Sequence, residues 1–555
     1  MKRFSNFVIY AALTVVLMVL SWTFIANIFV SRPMWGFDYP YFEKENFLVP
    51  FSIVLSVIIY FIIVIVLYKM LSKFNHKKIK KTICIIGCFL CLLTVFLIPV
   101  SSYSEQTAMT GIANNILNGN FIDFAKNEYL YLYPFNTGYV MFLIPFTLLS
   151  RVLSIDAGFL VKFANVVFTT LTGYYLAKIF ENHFKEKAKY SILLLIIFFT
   201  SISILTMNNL VYGDVPGVFF FILSIYYFMK ENENKTKDYI LSFVFCAIGN
   251  IFRNIGLILL IALVIHLLAT SKTKTKHLGF SLVGFIGVYF GFSLLQSILF
   301  NKAFPYGSDG LPLFSWIQMG FSGEVGYWTG YEILDIWKSD EYTNQEKVQM
   351  YIDNIQALLN EMKFDGFMDL MSRKMHYLFG EGTFQIVLYG LGEEETIHYN
   401  GYGAWYYQTF MTDLLKNGSI LKSNLVDYAY TWNMFAMVLS IISIVKNIKK
   451  KNVMITFFAG LIAFYCLWEI KARYIFTLLP IYIFGIFLEM TAAGEVMRVI
   501  GVFIKIIGVI FILHIVWLVL LYSVAGIVSK QNPFKMLGTM LPAYFTALGT
   551  QSSAA

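Results

Sequence analysis

Fourteen apolar runs, from 7–30 at one end to 499–526 at the other, cut the chain into segments that span a bilayer or nearly so. Between them lie runs at 51–70, 82–100, 137–153, 158–178, 191–207, 215–229, 239–252, 255–270, 279–300, 427–445, 453–468 and 474–490. In lipid every backbone amide must find its partner inside the protein, so runs of this length predict helices. Several fall short of the ~20 residues that a perpendicular crossing needs, so tilted or half-membrane helices are expected among about 11–14 in all.

Composition points to the same solvent. Of 555 residues 58% are hydrophobic and only 14% are charged, too few to cover a water-facing surface of this size. The net charge of +9 is no nucleic-acid footprint. Its basic residues stand in short runs between apolar segments, such as Lys77-Lys78-Ile79-Lys80-Lys81 and Lys446-Asn447-Ile448-Lys449-Lys450-Lys451, which mark cytoplasmic helix ends. Lys2 and Arg3 followed by the apolar 7–30 make a run too long for a signal-peptide core, and a retained first helix is expected. All five cysteines lie in apolar runs. Cys84, Cys88 and Cys91 share one helix face, where packing is a better account than a metal or redox site.

Strict alternation from a cytoplasmic N-terminus puts 71–81 inside and 101–136 outside, then fails. It would place Lys272-Thr273-Lys274-Thr275-Lys276 outside and 301–426 inside, against the positive-inside rule. One non-crossing segment between 154 and 207 restores the pattern. The basic stretches 178–189, 230–237, 271–277 and 446–451 then face the cytoplasm, and 101–136, 208–214 and 301–426 lie outside. The chain so divides into a membrane region 1–300 with the external loop 101–136, an external cap 301–426, C-terminal helices 427–530 and a tail 531–555. Within the cap, Thr343-Asn344-Gln345-Glu346 predicts a capping box before a helix, with a second helix after Asp365. Acidic residues (Asp335, Asp340, Glu341, Glu393, Glu394, Glu395) gather there. His376 and His398 lack metal-ligand spacing, and Trp316-Ile317-Gln318-Met319-Gly320 reads as loop packing more readily than as an acceptor contact.

The first external loop carries the strongest functional signal. Ser101-Ser102-Tyr103-Ser104-Glu105-Gln106 follows the apolar run 82–100, and Met109, Ile112, Ala113, Ile116 and Leu117 then repeat at helical spacing up to Asn118-Gly119. An amphipathic helix at the membrane interface is expected, with Glu105 at its start. Ser102 and Glu105 also match a capping box, so a local cap and a chemical role are both open, and compatible.

The order of further motifs resembles the GT-C superfamily of membrane glycosyltransferases, of the protein O-mannosyltransferase and aminoarabinose transferase type. They are Tyr131-Leu132-Tyr133-Pro134-Phe135-Asn136-Thr137-Gly138, Tyr212-Gly213-Asp214-Val215-Pro216, Arg253-Asn254 and Glu469-Ile470-Lys471-Ala472-Arg473-Tyr474. Glu105 takes the place where most relatives carry Asp, and two helices precede residue 82, whereas in the simplest family plan the acidic loop follows the first helix. The resemblance implies an all-α polytopic GT-C-like bundle with an external helical segment. It implies a polyprenyl-phosphate sugar donor and a glycan, lipid or protein acceptor. Inverting transfer would use Glu105 as base, with Arg473 and Lys471 or Arg253 stabilising the departing phosphate. Glu469 would orient Arg473, Asp214 would touch sugar, acceptor or a metal, and Tyr133 and Asn136 would support substrate. No cofactor is fixed by it, and a divalent metal is left open.

Rival readings stand beside these. Asp214 is also a reasonable helix cap, and Lys471 and Arg473 are reasonable interface anchors. Arg253 is costly in an apolar region unless it is paired or faces a polar cavity. A transporter or flippase of a lipid-linked saccharide explains the helix count as well. The abundance of Lys, Ile, Phe and Asn suggests a bacterial plasma membrane, with undecaprenyl phosphate as carrier.

Overall fold

The computed structural model describes residues 2–35, 40–43, 51–98, 100, 105–183, 185–230, 235–270, 274–300, 310–391, 419–446 and 453–478, with parts of 516–540. Helices α1 (Lys2–Phe29), α2 (Phe51–Leu71) and α3 (His76–Leu97) come first, with a hairpin of β1 (Arg32–Trp35) and β2 (Pro40–Glu43) after α1. Then follow α4 (Glu105–Leu117), α5 (Tyr129–Leu132), α6 (Thr137–Leu153), α7 (Ala157–His183), α8 (Ser191–Thr200) and α9 (Ile202–Thr206). The bundle continues through α10 (Asp214–Met229), α11 (Lys235–Phe252), α12 (Gly256–Thr270) and α13 (Lys274–Phe300). A cap holds α14 (Leu313–Phe321), α15 (Gly330–Lys338), α16 (Asn344–Gly380) and α17 (Ile386–Tyr389), before α18 (Ile420–Lys446) and α19 (Val453–Leu467). This is an all-α polytopic membrane architecture apart from the hairpin. Five described helices are long and apolar enough to cross a membrane, six if the bent α8–α9 pair counts as one, and four more are apolar but shorter. The expected runs at 474–490 and 499–526 fall largely outside the described residues.

Charges fix which helix ends lie together. At one end, Lys80 on α3 holds Glu181 on α7 at 2.7 Å, and Ser191 at the start of α8 donates to the same carboxylate at 3.0 Å. At the other end Lys162 on α7 donates to the Val100 carbonyl, and Asn209, after α9, donates to the Ile98 carbonyl at 3.2 Å. Thus α8–α9 runs from the basic end to the far end despite a 59° bend at Ser201. The segment with both ends on one side is instead α6. Its first turn follows Asn136, which accepts from Tyr212 Oη at 3.0 Å, and Arg151 near its close grips Asn114 of α4 at 2.6 Å and Asn118 just after it at 2.8 Å. Both ends of α6 thus lie at the far end, whereas α7 and the α8–α9 pair, which fill most of 154–207, each join the two ends of the bundle. Pro134–Leu153 is nonetheless one of the five candidate spans by length and composition, so apolar content alone does not tell which of these segments crosses.

Cysteines 84, 88 and 91 pack on α3 as expected, the first and last of them buried. Thr343 and Glu346 form the expected reciprocal capping box at the start of α16, and the second helix begins at a kink where Lys363 takes φ 53°. The Ser102 half of the other proposed box lies outside the described residues. The hairpin, unforeseen in the sequence, is tied to α18 by Arg32 Nη1 against Asp427 Oδ1 at 2.5 Å, with the guanidinium 4.3 Å from the Tyr430 ring. A second small core of Leu132, Trp316, Met319, Ile333, Trp337 and Tyr351 joins the first loop to the cap.

Two glycines set the spacing at the far end. A Cβ on Gly138 would meet the Ile251 carbonyl, and one on Gly213 would meet the Phe252 carbonyl. Gly213→Ala should force α10 off the end of α11 and lower stability by about 1–3 kcal/mol, read as a drop in melting temperature of the purified protein. An unchanged melting temperature would show that the two ends part freely.

Candidate functional site

A cavity of about 1090 Å³ opens at the far end of the bundle, between the first loop, the ends of α10, α11 and α19, and the cap. Seven of the eight residues singled out in the sequence line it: Glu105, Tyr133, Asn136, Arg253, Glu469, Lys471 and Arg473. They converge because each follows or precedes a helix at this end: Glu105 opens α4, Arg253 follows α11, and residues 469–473 follow α19.

Glu105 is the meeting point. Its Oε2 lies 3.6 Å from Arg473 Nη2 and its Oε1 3.8 Å from Lys471 Nζ, while its side chain keeps 38% exposure into the cavity. Arg473 is only 1% exposed, which removes it from the class of interface anchors reaching for headgroups. Its guanidinium is instead caged by the rings of Tyr212 at 4.6 Å, Tyr389 at 4.7 Å and Tyr474 at 5.9 Å. The Tyr212 ring also lies 5.6 Å from Arg253, so one aromatic face serves both guanidiniums. Tyr212 in turn donates to Asn136, which donates to the Tyr129 hydroxyl at 2.9 Å.

Asp214 is the exception. It is fully buried, absent from the cavity wall, and lies behind Arg253 with Oδ1 3.4 Å from Nε. Arg253 lines the cavity, and Asp214 is the counter-charge that makes its burial tolerable. Glu469 does not pair with Arg473 either. Its Oε1 accepts from the Tyr474 hydroxyl at 2.5 Å, and its Oε2 has no hydrogen bond among the described residues. Any influence on Arg473 passes through Tyr474. Burial pushes the Glu469 carboxyl above the usual range, although Lys471 and the Tyr474 hydroxyl oppose the shift.

Glu105 shifts the other way. Burial alone would raise it, but the charges of Lys471, Arg473 and Arg253 outweigh that and hold it below the ordinary glutamate value. A base with a depressed pKa stays ionised as pH falls and is lost only below that value. If Glu105 is the essential base, kcat/KM should hold down through about pH 5 and fall only below the ordinary ~4.3. An acidic limb at or above that value in a pH–rate profile would contradict the arrangement.

The rest of the wall is aromatic and apolar. Trp316 stacks on Trp468 at 5.6 Å and 7°, so the Trp316 stretch does reach the cavity. Phe135 and Leu313, 39% and 57% exposed, form an apolar edge to it. His376 is buried against Asn27 at 2.7 Å, away from the cavity, and His398 lies outside the described residues. Among the described residues no group of three or more His, Cys, Asp or Glu is disposed to hold a metal ion. The sequence marks Tyr212 only as the first residue of the Tyr212-Gly213-Asp214-Val215-Pro216 motif, and Tyr389 and Trp468 carry no signal that sets them apart from the many other aromatics.

Two family models match parts of the chain. Residues 143–293 match that of the dolichyl-phosphate-mannose-protein mannosyltransferases, and residues 395–555 match the sodium:dicarboxylate symporter family. Each covers less than a third of the chain. Asp214 and Arg253 fall within the first, Glu469, Lys471 and Arg473 within the second, and Glu105 within neither. No curated protein and no solved structure matches. The first match supports a glycosyltransferase of the GT-C kind in a multi-pass membrane protein.

Proposed function

We propose that this protein transfers a sugar from a polyprenyl-phosphate donor to an acceptor hydroxyl at the external membrane face, in the assembly of a bacterial cell-envelope glycan or glycoconjugate. The observation that carries the reading is Glu105 standing within 4 Å of both Lys471 and Arg473 on a shared cavity wall. A base and phosphate-binding cations thereby share one wall of the cavity, in ion-pair contact with each other. The mannosyltransferase match supports the same donor class.

Glu105 accepts the proton of the acceptor hydroxyl as its oxygen bonds to the anomeric carbon. The bond from that carbon to the phosphate oxygen breaks on the opposite side, so the configuration inverts. The electron pair leaves with the lipid phosphate, which needs no proton because Arg473, Lys471 and Arg253 receive its charge. The phosphate displaces Glu105 from its two cations on binding, freeing the carboxylate to meet the hydroxyl. Tyr133 and Asn136 line the sugar's side of the cavity, and the lipid chain lies along the Phe135–Leu313 edge.

The symporter match favours a second reading, transport of a carboxylate or a lipid-linked saccharide. One experiment separates them. Protein reconstituted in vesicles is given radiolabelled polyprenyl phosphomannose with oligosaccharide and peptide acceptors, and, separately, labelled dicarboxylate. Label joined to an acceptor with release of polyprenyl phosphate supports transfer. Sodium-driven uptake or lipid movement without any release would replace it with transport.

A further inference from the structure

Between α9 and α10 runs a short buried segment whose asparagine side chains are tied to neighbouring elements. Asn208 receives Thr169 at 2.8 Å, Asn165 donates to the carbonyls of Asn208 and Leu210 at 3.2 and 2.7 Å, and Asn209 donates to Ile98 and Gly390 at 3.2 and 3.1 Å. This anchorage fixes the next two residues. Tyr212 carries the ring shared by Arg253 and Arg473. The Val211 amide donates to Gln106 Oε1 at 2.7 Å, and Gln106 is 3% exposed. Gln106 is the neighbour of Glu105 on the first turn of α4. The carboxylate and the guanidiniums are thus referred to one hydrogen-bonded segment from two sides.

We propose that Gln106 is a positioning residue that sets the Glu105 carboxylate against Arg473 and Lys471. The inference rests on the reading of Glu105 as the base. Without the Val211 anchor, α4 can shift along the interface, and a displacement of ~1 Å at the reacting group costs up to about 100-fold in rate. The cation cage keeps its other anchors, since Asn165, Asn208 and Asn209 hold the segment before Tyr212 without Gln106.

The test uses the full chain in detergent with farnesyl phosphomannose as probe. Release of farnesyl phosphate is the readout, because it counts transfer to any hydroxyl, water included. Gln106→Leu keeps bulk but removes the acceptor oxygen, and should lower kcat about 10- to 100-fold with donor KM unchanged. Its acidic limb should move up toward the ordinary glutamate value as Glu105 drifts from its cations. Gln106→Glu, with an oxygen at the same reach, should recover most of kcat. In a Glu105→Gln background Gln106→Leu should cost nothing more. An equal further loss in that background, or a loss confined to KM, overturns the proposal. If Gln106→Leu does not fold, Gln106→Asn, whose oxygen is withdrawn by one methylene, goes through the same comparison with the same outcomes. Full release by Glu105→Gln alone overturns the base itself, a distinct result, and no release by the unaltered protein overturns the transfer reading.

Discussion

Glu105→Gln should lower sugar transfer by about 10²–10⁴-fold while leaving donor binding unchanged or tighter. The amide matches the carboxylate in size but cannot take the acceptor's proton. Its loss of charge also frees Arg473 and Lys471, which lie 3.6 and 3.8 Å away and otherwise must exchange Glu105 for the donor phosphate. Rate and affinity should therefore move in opposite senses, a pattern that simple unfolding does not produce. Glu105 opens into the cavity and contributes little to the packed core, so the melting temperature should stay near that of the unaltered protein. Steady-state kinetics with varied donor would measure both terms. A Gln variant with normal kcat would end the assignment.

Removing Arg473 should do comparable harm through the leaving group. Arg473→Met is expected to lower kcat/KM by about 10²–10³-fold, the usual cost of losing one donor aimed at developing oxyanion charge. Arg473→Lys should fall between, since it keeps the charge but loses the planar fork and the stacking on Tyr212 and Tyr389. At 1% exposure Arg473 also fills space, so Met, of similar reach, is a fairer test than Ala. Competition by free farnesyl phosphate would locate the lesion: inhibition should weaken in the Met variant in step with the fall in rate. Undiminished inhibition would mean that the phosphate sits elsewhere.

The site was legible where charge is rare. In a chain with so few ionisable residues, Arg253, Lys471 and Arg473 stand out, and each falls at the edge of an apolar run. The partner of Arg253 was not legible, because Asp214 lies 39 positions away and nothing in spacing says that α10 and α11 end side by side. Nor could the cage be found, since 36 tyrosines and 55 phenylalanines give Tyr212 and Tyr389 no distinction. Topology shows the same limit. The basic loops suggested one non-crossing segment between 154 and 207, but hydropathy is blind to direction, and it is the grip of Arg151 on Asn114 that brings both ends of α6 to one end of the bundle. Local chemistry fared better: the Thr343 box depends on four consecutive residues and needed no tertiary information.

The apolar edge formed by Phe135 and Leu313 has a consequence for how such a protein measures its substrate. A donor that crosses that edge never becomes a solute. What the cavity samples is the donor's mole fraction in the surrounding bilayer, a two-dimensional density indifferent to bulk volume. Diluting the vesicles with buffer leaves that density untouched, whereas fusing in donor-free lipid thins it at constant total amount. On the proposed function the rate should therefore follow the lipid ratio rather than the bulk concentration.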